Sequence, residues 1–142
     1  MNRKDTVEKM LAAVPLFAKL STKELRQVSS LATPMDFPAG RELTKQGAEG
    51  REFMVILDGE LEVYIDGALV ANRGPGDFFG EIALLSDRPR TATVVAKTPV
   101  SVEVIGHREF SRLVADRPEI AQQLLAAMAE RLAAGETLTL GE

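Results

Sequence analysis

Phe79-Gly80-Glu81-Ile82-Ala83-Leu84-Leu85, followed by Arg90-Thr91-Ala92-Thr93-Val94, sets one carboxylate and one guanidinium in a short loop opened by glycine. The stretches on either side read as apolar strand. A small, mostly apolar domain gains little structurally from a charge pair at such a place, because burying the two ions costs about as much as their attraction returns. An isolated glutamate and arginine would read as a salt bridge holding a loop. An arginine that lines a pocket needs a partner, either Glu81 or an anion supplied from outside. The partner that suits both groups at once is a ligand carrying an anion and a hydroxyl.

Outward from this loop the chain is punctuated by glycine and alternates like a set of short strands. Residues 53–57 are an apolar run of strand length. Leu61, Val63 and Ile65 alternate with Glu60, Glu62, Tyr64 and Asp66, a period of two with one wet face. Asp66-Gly67 is a hairpin turn signal, and Leu69 and Val70 begin the returning strand. Gly74, Gly76 and Gly80 crowd around Asp77 and the two phenylalanines, where Asp77 suits stabilisation of a glycine-rich turn. Val94 and Val95, then Val100, Val102 and Val104, supply further strands. Short strands at this spacing predict a sandwich or barrel over residues 35–106.

Helical periodicity flanks the strands. Val7, Met10, Leu11 and Val14 recur at helical spacing until Pro15 interrupts, with Leu16 and Phe17 as a short apolar anchor. Ser21-Thr22-Lys23-Glu24 is a capping box, and Leu25, Val28 and Leu31 form the buried stripe of the helix it starts. Pro34 is expected to end this helical region. After His107, read as a helix-start residue, Phe110, Leu113 and Val114 share a face. Pro118 suits the first turn of a last helix, in which Ile120, Leu124, Met128 and Leu132 form one stripe widened by Leu125. Gly135 is its expected stop. The order is helices, strands, helices within one domain, residues 1–142: N-terminal helices over 1–34, strands over 35–106, C-terminal helices over 107–135 and a tail over 136–142.

Composition narrows the function classes. A chain of 142 residues with 45% hydrophobic and 27% charged residues has the make-up of one globular domain with a real core. Net charge of −4 argues against nucleic acid as the main partner. There is no cysteine and a single histidine, so thiol chemistry and the usual histidine-rich metal centres are excluded. No Gly-x-x-x-x-Gly-Lys loop or nucleophile–base constellation appears, so catalysis is not expected. The lack of cysteine fits a reducing cytoplasm, and no apolar run reaches the roughly 18 residues of a spanning helix.

The loop resembles the phosphate-binding cassette of the cyclic nucleotide-binding domain family. The likeness extends over about residues 10–134. Val14-Pro15-Leu16-Phe17 with Leu20-Ser21 and Glu24-Leu25 looks like the family's opening. Pro38-Ala39-Gly40, Gly47 and Gly50 stand where it places turns, and Asp58-Gly59-Glu60-Leu61-Glu62-Val63 looks like its central hairpin. Gly74-Pro75-Gly76-Asp77-Phe78-Phe79-Gly80-Glu81 leads into the cassette, residues 79–92, as in regulatory domains of cyclic-nucleotide-gated channels and kinases.

The resemblance implies a mainly β fold with flanking helices: a jelly-roll-like β-roll, or double-stranded β-helix, with a short cassette helix. It implies a ligand-sensing module for cAMP, or less readily cGMP, that holds no cofactor and no metal. Its ligand-binding residues would be Phe79, Gly80, Glu81, Ile82, Ala83, Arg90, Thr91, Ala92 and Arg131. Gly80 lets the backbone come close to a ligand, and the first amides of a turn over residues 81–85 favour an anion. Arg90 offers a fork matching two phosphate oxygens, Thr91 adds a donor, and Glu81 accepts from the ribose hydroxyl. A hydroxyl at Thr91 can meet a guanine amino group, which permits cGMP without excluding cAMP. Arg131, with Met128 and Leu132 beside it, falls where the family's last helix covers the base; as a plain residue it reads equally as part of a solvated helix face. Binding would draw that helix onto the base and relay the signal to an effector protein. A vestigial pocket on an interaction or dimerisation module, with a homodimer through the last helix, is the other reading. A piece of a longer channel, kinase or transcription regulator is another. Regulators of that last kind carry a helix-turn-helix after the long helix, for which the residues past Ala134 leave no room, so DNA is not an expected partner.

Overall fold

Residues 53–57 are apolar without a break, whereas residues 61–65 alternate, and the fold explains the difference. The computed structural model describes residues 3–80 and 89–134. Its elements run α1 (Arg3–Ala12), a 3-10 turn (Pro15–Phe17), α2 (Thr22–Leu31), β1 (Ala32–Phe37), β2 (Glu42–Thr44), β3 (Glu52–Asp58), β4 (Leu61–Ile65), β5 (Ala68–Arg73), β6 (Phe78–Phe79), β7 (Thr93–Ala96), β8 (Val100–Gly106), α3 (His107–Asp116) and α4 (Pro118–Ala133). The strands form two antiparallel four-stranded sheets, ordered β1-β8-β3-β6 and β2-β7-β4-β5. They pack face to face, and the helices cover the outer face of the first. This is the β-roll with flanking helices that the sequence predicts.

β3 is therefore buried on both sides. Met54 and Ile56 point between the sheets, where they meet Leu61, Val63, Phe79, Val94, Val100 and Val102. Phe53 and Val55 point outward under the helices, against Phe17, Phe78, Ile105, Phe110 and Ile120. β6 splits its two residues in the same way: Phe78 faces the helices and Phe79 the inter-sheet core. β4 belongs to the second sheet, so Leu61 and Val63 are buried while their neighbours reach solvent. The β4–β5 turn is built as predicted. Asp66 and Gly67 both take positive φ, 52° and 81°, the geometry of a two-residue hairpin. Gln46 clasps this turn: its Nε2 donates to Asp66 Oδ1 at 2.9 Å, and Asp66 N donates to its Oε1 at 2.8 Å.

The capping box is complete. Ser21 N donates to Glu24 Oε1 at 2.9 Å, and Glu24 N donates to Ser21 Oγ at 3.2 Å. These bonds, the backbone one first, hold the Glu24 carboxyl below its ordinary value of 4.5. Glu24 also pairs with Arg117 at 2.7 Å, tying α2 to the α3–α4 junction.

Three expectations change. β1 begins at Ala32, so Pro34 lies within a strand, opposite Glu103, instead of closing the helical region. β1 is an edge strand, which tolerates a residue without an N–H. Leu31, at the end of α2, is 39% exposed and drops out of the buried stripe. The α4 stripe also divides: Ile120 and Leu124 are buried and Met128 partly so, whereas Leu125 and Leu132 are 68% and 55% exposed. Leu125 and Leu132 project from a side of α4 turned away from the face that Ile120, Leu124 and Ala127 bury. His107 opens α3 and Pro118 opens α4, as read from the sequence. Gly135 and the tail lie outside the described residues. No described helix is long and apolar enough to cross a membrane.

Candidate functional site

Arg90 sits just before β7 and is held first by its backbone. Its N–H donates to Ala48 O and its carbonyl accepts from Gly47 N, both at 2.8 Å. Two further bonds sew the same segments together: Gln46 N donates to Thr93 Oγ1 at 3.0 Å, and Thr44 Oγ1 to Ala92 O at 3.2 Å. The loop of residues 45–50 is thus fastened both to the Asp66 turn and to Arg90.

The guanidinium is 4% exposed. Its Nη2 donates to the main-chain carbonyl of Glu52 at 2.8 Å and lies 3.7 Å from the Glu52 carboxylate. Two glycines make the space. A Cβ on Gly50 would overlap Arg90 Nε and lie 2.6 Å from Cζ. A Cβ on Gly80, whose φ is +95°, would overlap Glu52 O and lie 2.9 Å from Arg90 Nη1. The close approach that Gly80 permits is in part to this arginine. Beside the guanidinium is a cleft of about 240 Å³, lined also by Thr44, Lys45, Glu49, Gly50 and Glu52. A cation fixed by strand hydrogen bonds at the wall of an open cleft is suited to an anion, because the surroundings already carry the cost of positioning it.

Of the other expected site residues that are described, Phe79, Ala92 and Arg131 do not line this cleft. Phe79 is fully buried between the sheets, paired with Met54, and serves the core. Ala92 is likewise buried there, whereas Thr91 between Arg90 and Ala92 is partly exposed. Glu81, Ile82 and Ala83, with the expected helical turn over 81–85, lie outside the described residues.

Arg131 belongs to a different corner. From α4 its Nη2 donates to Phe78 O at 3.0 Å, and its guanidinium carbon stands 4.7 Å from the centre of the Phe78 ring. Phe78 stacks on Phe53 at 5.5 Å, and Phe53 on Phe110 at 3.8 Å. A column of rings thus runs from α3 through β3 and β6 to α4. Arg131 lines a separate cleft of about 450 Å³ with Asn72, Arg73, Asp77, Gln123 and Glu130. Asp77 Oδ2 accepts from Gly74 N at 2.8 Å, the turn-stabilising part expected of it.

Two residues of the Arg90 corner are not legible as site residues in the sequence. Gly50 reads only as a turn, and Glu52 is not singled out at all. Their sequence separation from Arg90 hides the contact.

Comparison with known proteins places this geometry. Residues 34–117 match the family described as the cyclic nucleotide-binding domain. The chain is 36% identical over 124 residues to a cAMP-dependent protein kinase regulatory subunit of Aspergillus fumigatus, covering 85% of the chain and 30% of that protein. It is 36% identical over 133 residues to a cyclic nucleotide-gated potassium channel of Rhizobium etli, covering 92% of the chain and 37% of the channel. The chain thus spans about a third of the length of these relatives. Among solved structures, cAMP-bound PfPKA-R superposes with a TM-score of 0.82 at 26% identity, over 96% of this chain and 49% of that one. The matched segment contains both sheets and the glycine-carved arginine, and on that footing the chain belongs to the cyclic nucleotide-binding domain family.

Proposed function

We propose that this domain binds a 3′,5′-cyclic nucleotide reversibly, cAMP in preference to cGMP, and relays binding through α4 without catalysing a reaction. The observation that carries this reading is Arg90: a buried guanidinium at the wall of an open cleft, positioned by backbone bonds and by two glycines. Similarity to regulatory subunits of cAMP-dependent kinases supports the choice of cAMP. On this reading Arg90 and Thr91 hold the phosphate, with Gly80 and the amides of Ile82 and Ala83. Glu81 takes the ribose hydroxyl, Phe79 and Ala92 form the wall behind, and Arg131 meets the base. The whole chain acts as one ligand-binding unit.

Relay requires contacts that differ between two states. Neighbouring residues of β6 supply them: Phe79 is anchored in the inter-sheet core beside Gly80, while Phe78 carries the ring column and the Arg131 contact. A shift of β6 when the cleft fills would be felt by α3 and α4 together. The effector acts in trans or in a longer chain, and the domain itself lies on the cytoplasmic side.

Calorimetric titration with cAMP and cGMP, after removal of copurified nucleotide, tests the reading. Saturable binding that disappears in Arg90→Ala is expected. A folded protein that binds neither nucleotide would sink it. One observation favours a second reading as an interaction module. On the exposed side of α4, Gln122, Leu125, Ala126, Ala129 and Leu132 form an uncharged stretch edged by Glu119 and Glu130, and a homodimer through it would be read by sedimentation.

A further inference from the structure

Among the described residues that line the Arg90 cleft, negative side chains outnumber positive ones: Glu42, Glu49 and Glu52 against Lys45 and Arg90. Of these lining carboxylates, Glu52 is held against the cation. Its carboxylate lies 3.7 Å from Arg90 Nη2 and also accepts from Arg51 N at 3.2 Å, while its main-chain carbonyl accepts from the same Nη2 at 2.8 Å. The side chain is 52% exposed, so this carboxylate stands at the mouth of the cleft and not in its floor. A phosphate arriving at Arg90 must approach within a few ångströms of it.

We propose that Glu52 is a charge filter: it selects singly charged cyclic phosphodiesters over doubly charged phosphomonoesters with the same base and sugar. The inference rests on the reading that Arg90 holds the ligand's phosphate. The carboxylate acts on a ligand in two ways. It competes for Arg90, an effect that is the same for both ligands and cancels in their ratio. It also repels the ligand, and this scales with ligand charge. A phosphomonoester, with a second pKa of about 6, carries nearly two negative charges at neutral pH, against one for the cyclic diester. Arg90 attracts the dianion more strongly, and Glu52 offsets that preference. For a half-solvated carboxylate at this distance, the repulsion amounts to about fivefold in affinity per ligand charge at low salt.

The test is a matrix of titrations at low ionic strength. Native protein, Glu52→Gln, Glu52→Ala, Glu52→Asp, Glu60→Gln and Arg90→Ala are each titrated with cAMP and with 5′-AMP. Neutralising Glu52 by either Gln or Ala should tighten both ligands and narrow the cAMP to 5′-AMP affinity ratio by about fivefold. Glu52→Asp keeps the charge and should keep the ratio. Glu60 is exposed and not among the residues lining the cleft, so Glu60→Gln changes net charge equally and should also keep the ratio. The strand position of Glu52 is exposed, so the Ala variant guards against misfolding specific to Gln. An unchanged ratio in both neutral variants overturns the inference, as does an equal narrowing in Glu60→Gln. If cAMP binding is still lost in Arg90→Ala, that failure leaves the proposed function standing. If native protein binds neither ligand, both fall.

Discussion

Two arginines mark two corners of this molecule, and they are held by different means. Arg90 is fastened between strands: its backbone bonds to residues 47 and 48, its guanidinium bonds to the main chain of β3, and glycines 50 and 80 make room for it. Arg131 reaches a carbonyl and a ring of β6 from a helix whose outer face is exposed. Moving Arg90 means breaking sheet structure, whereas moving Arg131 means lifting a helix. On the proposed reading the domain uses both kinds of group: a fixed receptor for the ligand's charge, and a contact that can exchange when the ligand arrives.

The sharpest way to break this contrast is to remove the fixed group. Arg90→Ala should abolish cyclic nucleotide binding, a loss of about 3 kcal/mol or more, over a hundredfold in Kd by calorimetry. Circular dichroism should show the fold retained, because the bonds to residues 47 and 48 are made by the backbone.

Next in size are the glycines. Gly80→Ala places a Cβ at φ +95° against Glu52 O and should cost about 2 kcal/mol or more of stability in urea denaturation. Gly50→Ala meets the guanidinium itself, with no positive φ to strain. It should weaken binding about tenfold or more at a smaller cost in stability. Equal behaviour of the two variants would show that the room at Gly50 is not reserved for Arg90.

Arg131→Ala should act more gently. Losing the bond to Phe78 O and the ring contact removes about 1 kcal/mol of local stability. Amide exchange in α4 should quicken, while affinity falls by tenfold or less. A hundredfold loss would make Arg131 as fixed a part of the receptor as Arg90.

The smallest effect is expected far from both corners. Ser21→Ala removes the cap of α2 and should cost about 1 kcal/mol with unchanged binding. The pH dependence follows in sign. The Glu24 carboxyl is held below 4.5 in the folded protein, chiefly by the Ser21 amide and then by its hydroxyl, so its contribution is present above 4.5. That contribution is lost as pH falls through the lower, folded value. A carboxyl NMR titration should give Glu24 a midpoint below 4.5 in the native protein, moving upward in Ser21→Ala.

Local chemistry made much of this legible in advance. The capping box, the Asp66-Gly67 turn, Pro118 at a helix start and the turn role of Asp77 each depend on residues within a few positions of one another. The sheet-like alternation of residues 61–65 reports one wet face by itself. Pro34 is the instructive exception: it reads as a breaker, and only its place on an edge strand beside β8 makes it harmless.

The sequence alone was enough to determine a strand-rich sandwich or barrel flanked by helices, because periodicity and turn chemistry are properties of neighbouring residues, and the resemblance carried by its motif order implied the β-roll and a phosphate-receiving loop. The tertiary structure alone decided what surrounds that arginine. Glu52 and Gly50 reach Arg90 across two sheets, Arg131 rests on Phe78, and the α4 stripe divides into a buried and an exposed half. Each of these depends on which strands lie side by side and where a helix axis runs, distances set by the packing of the whole core and carried by no short segment of the chain.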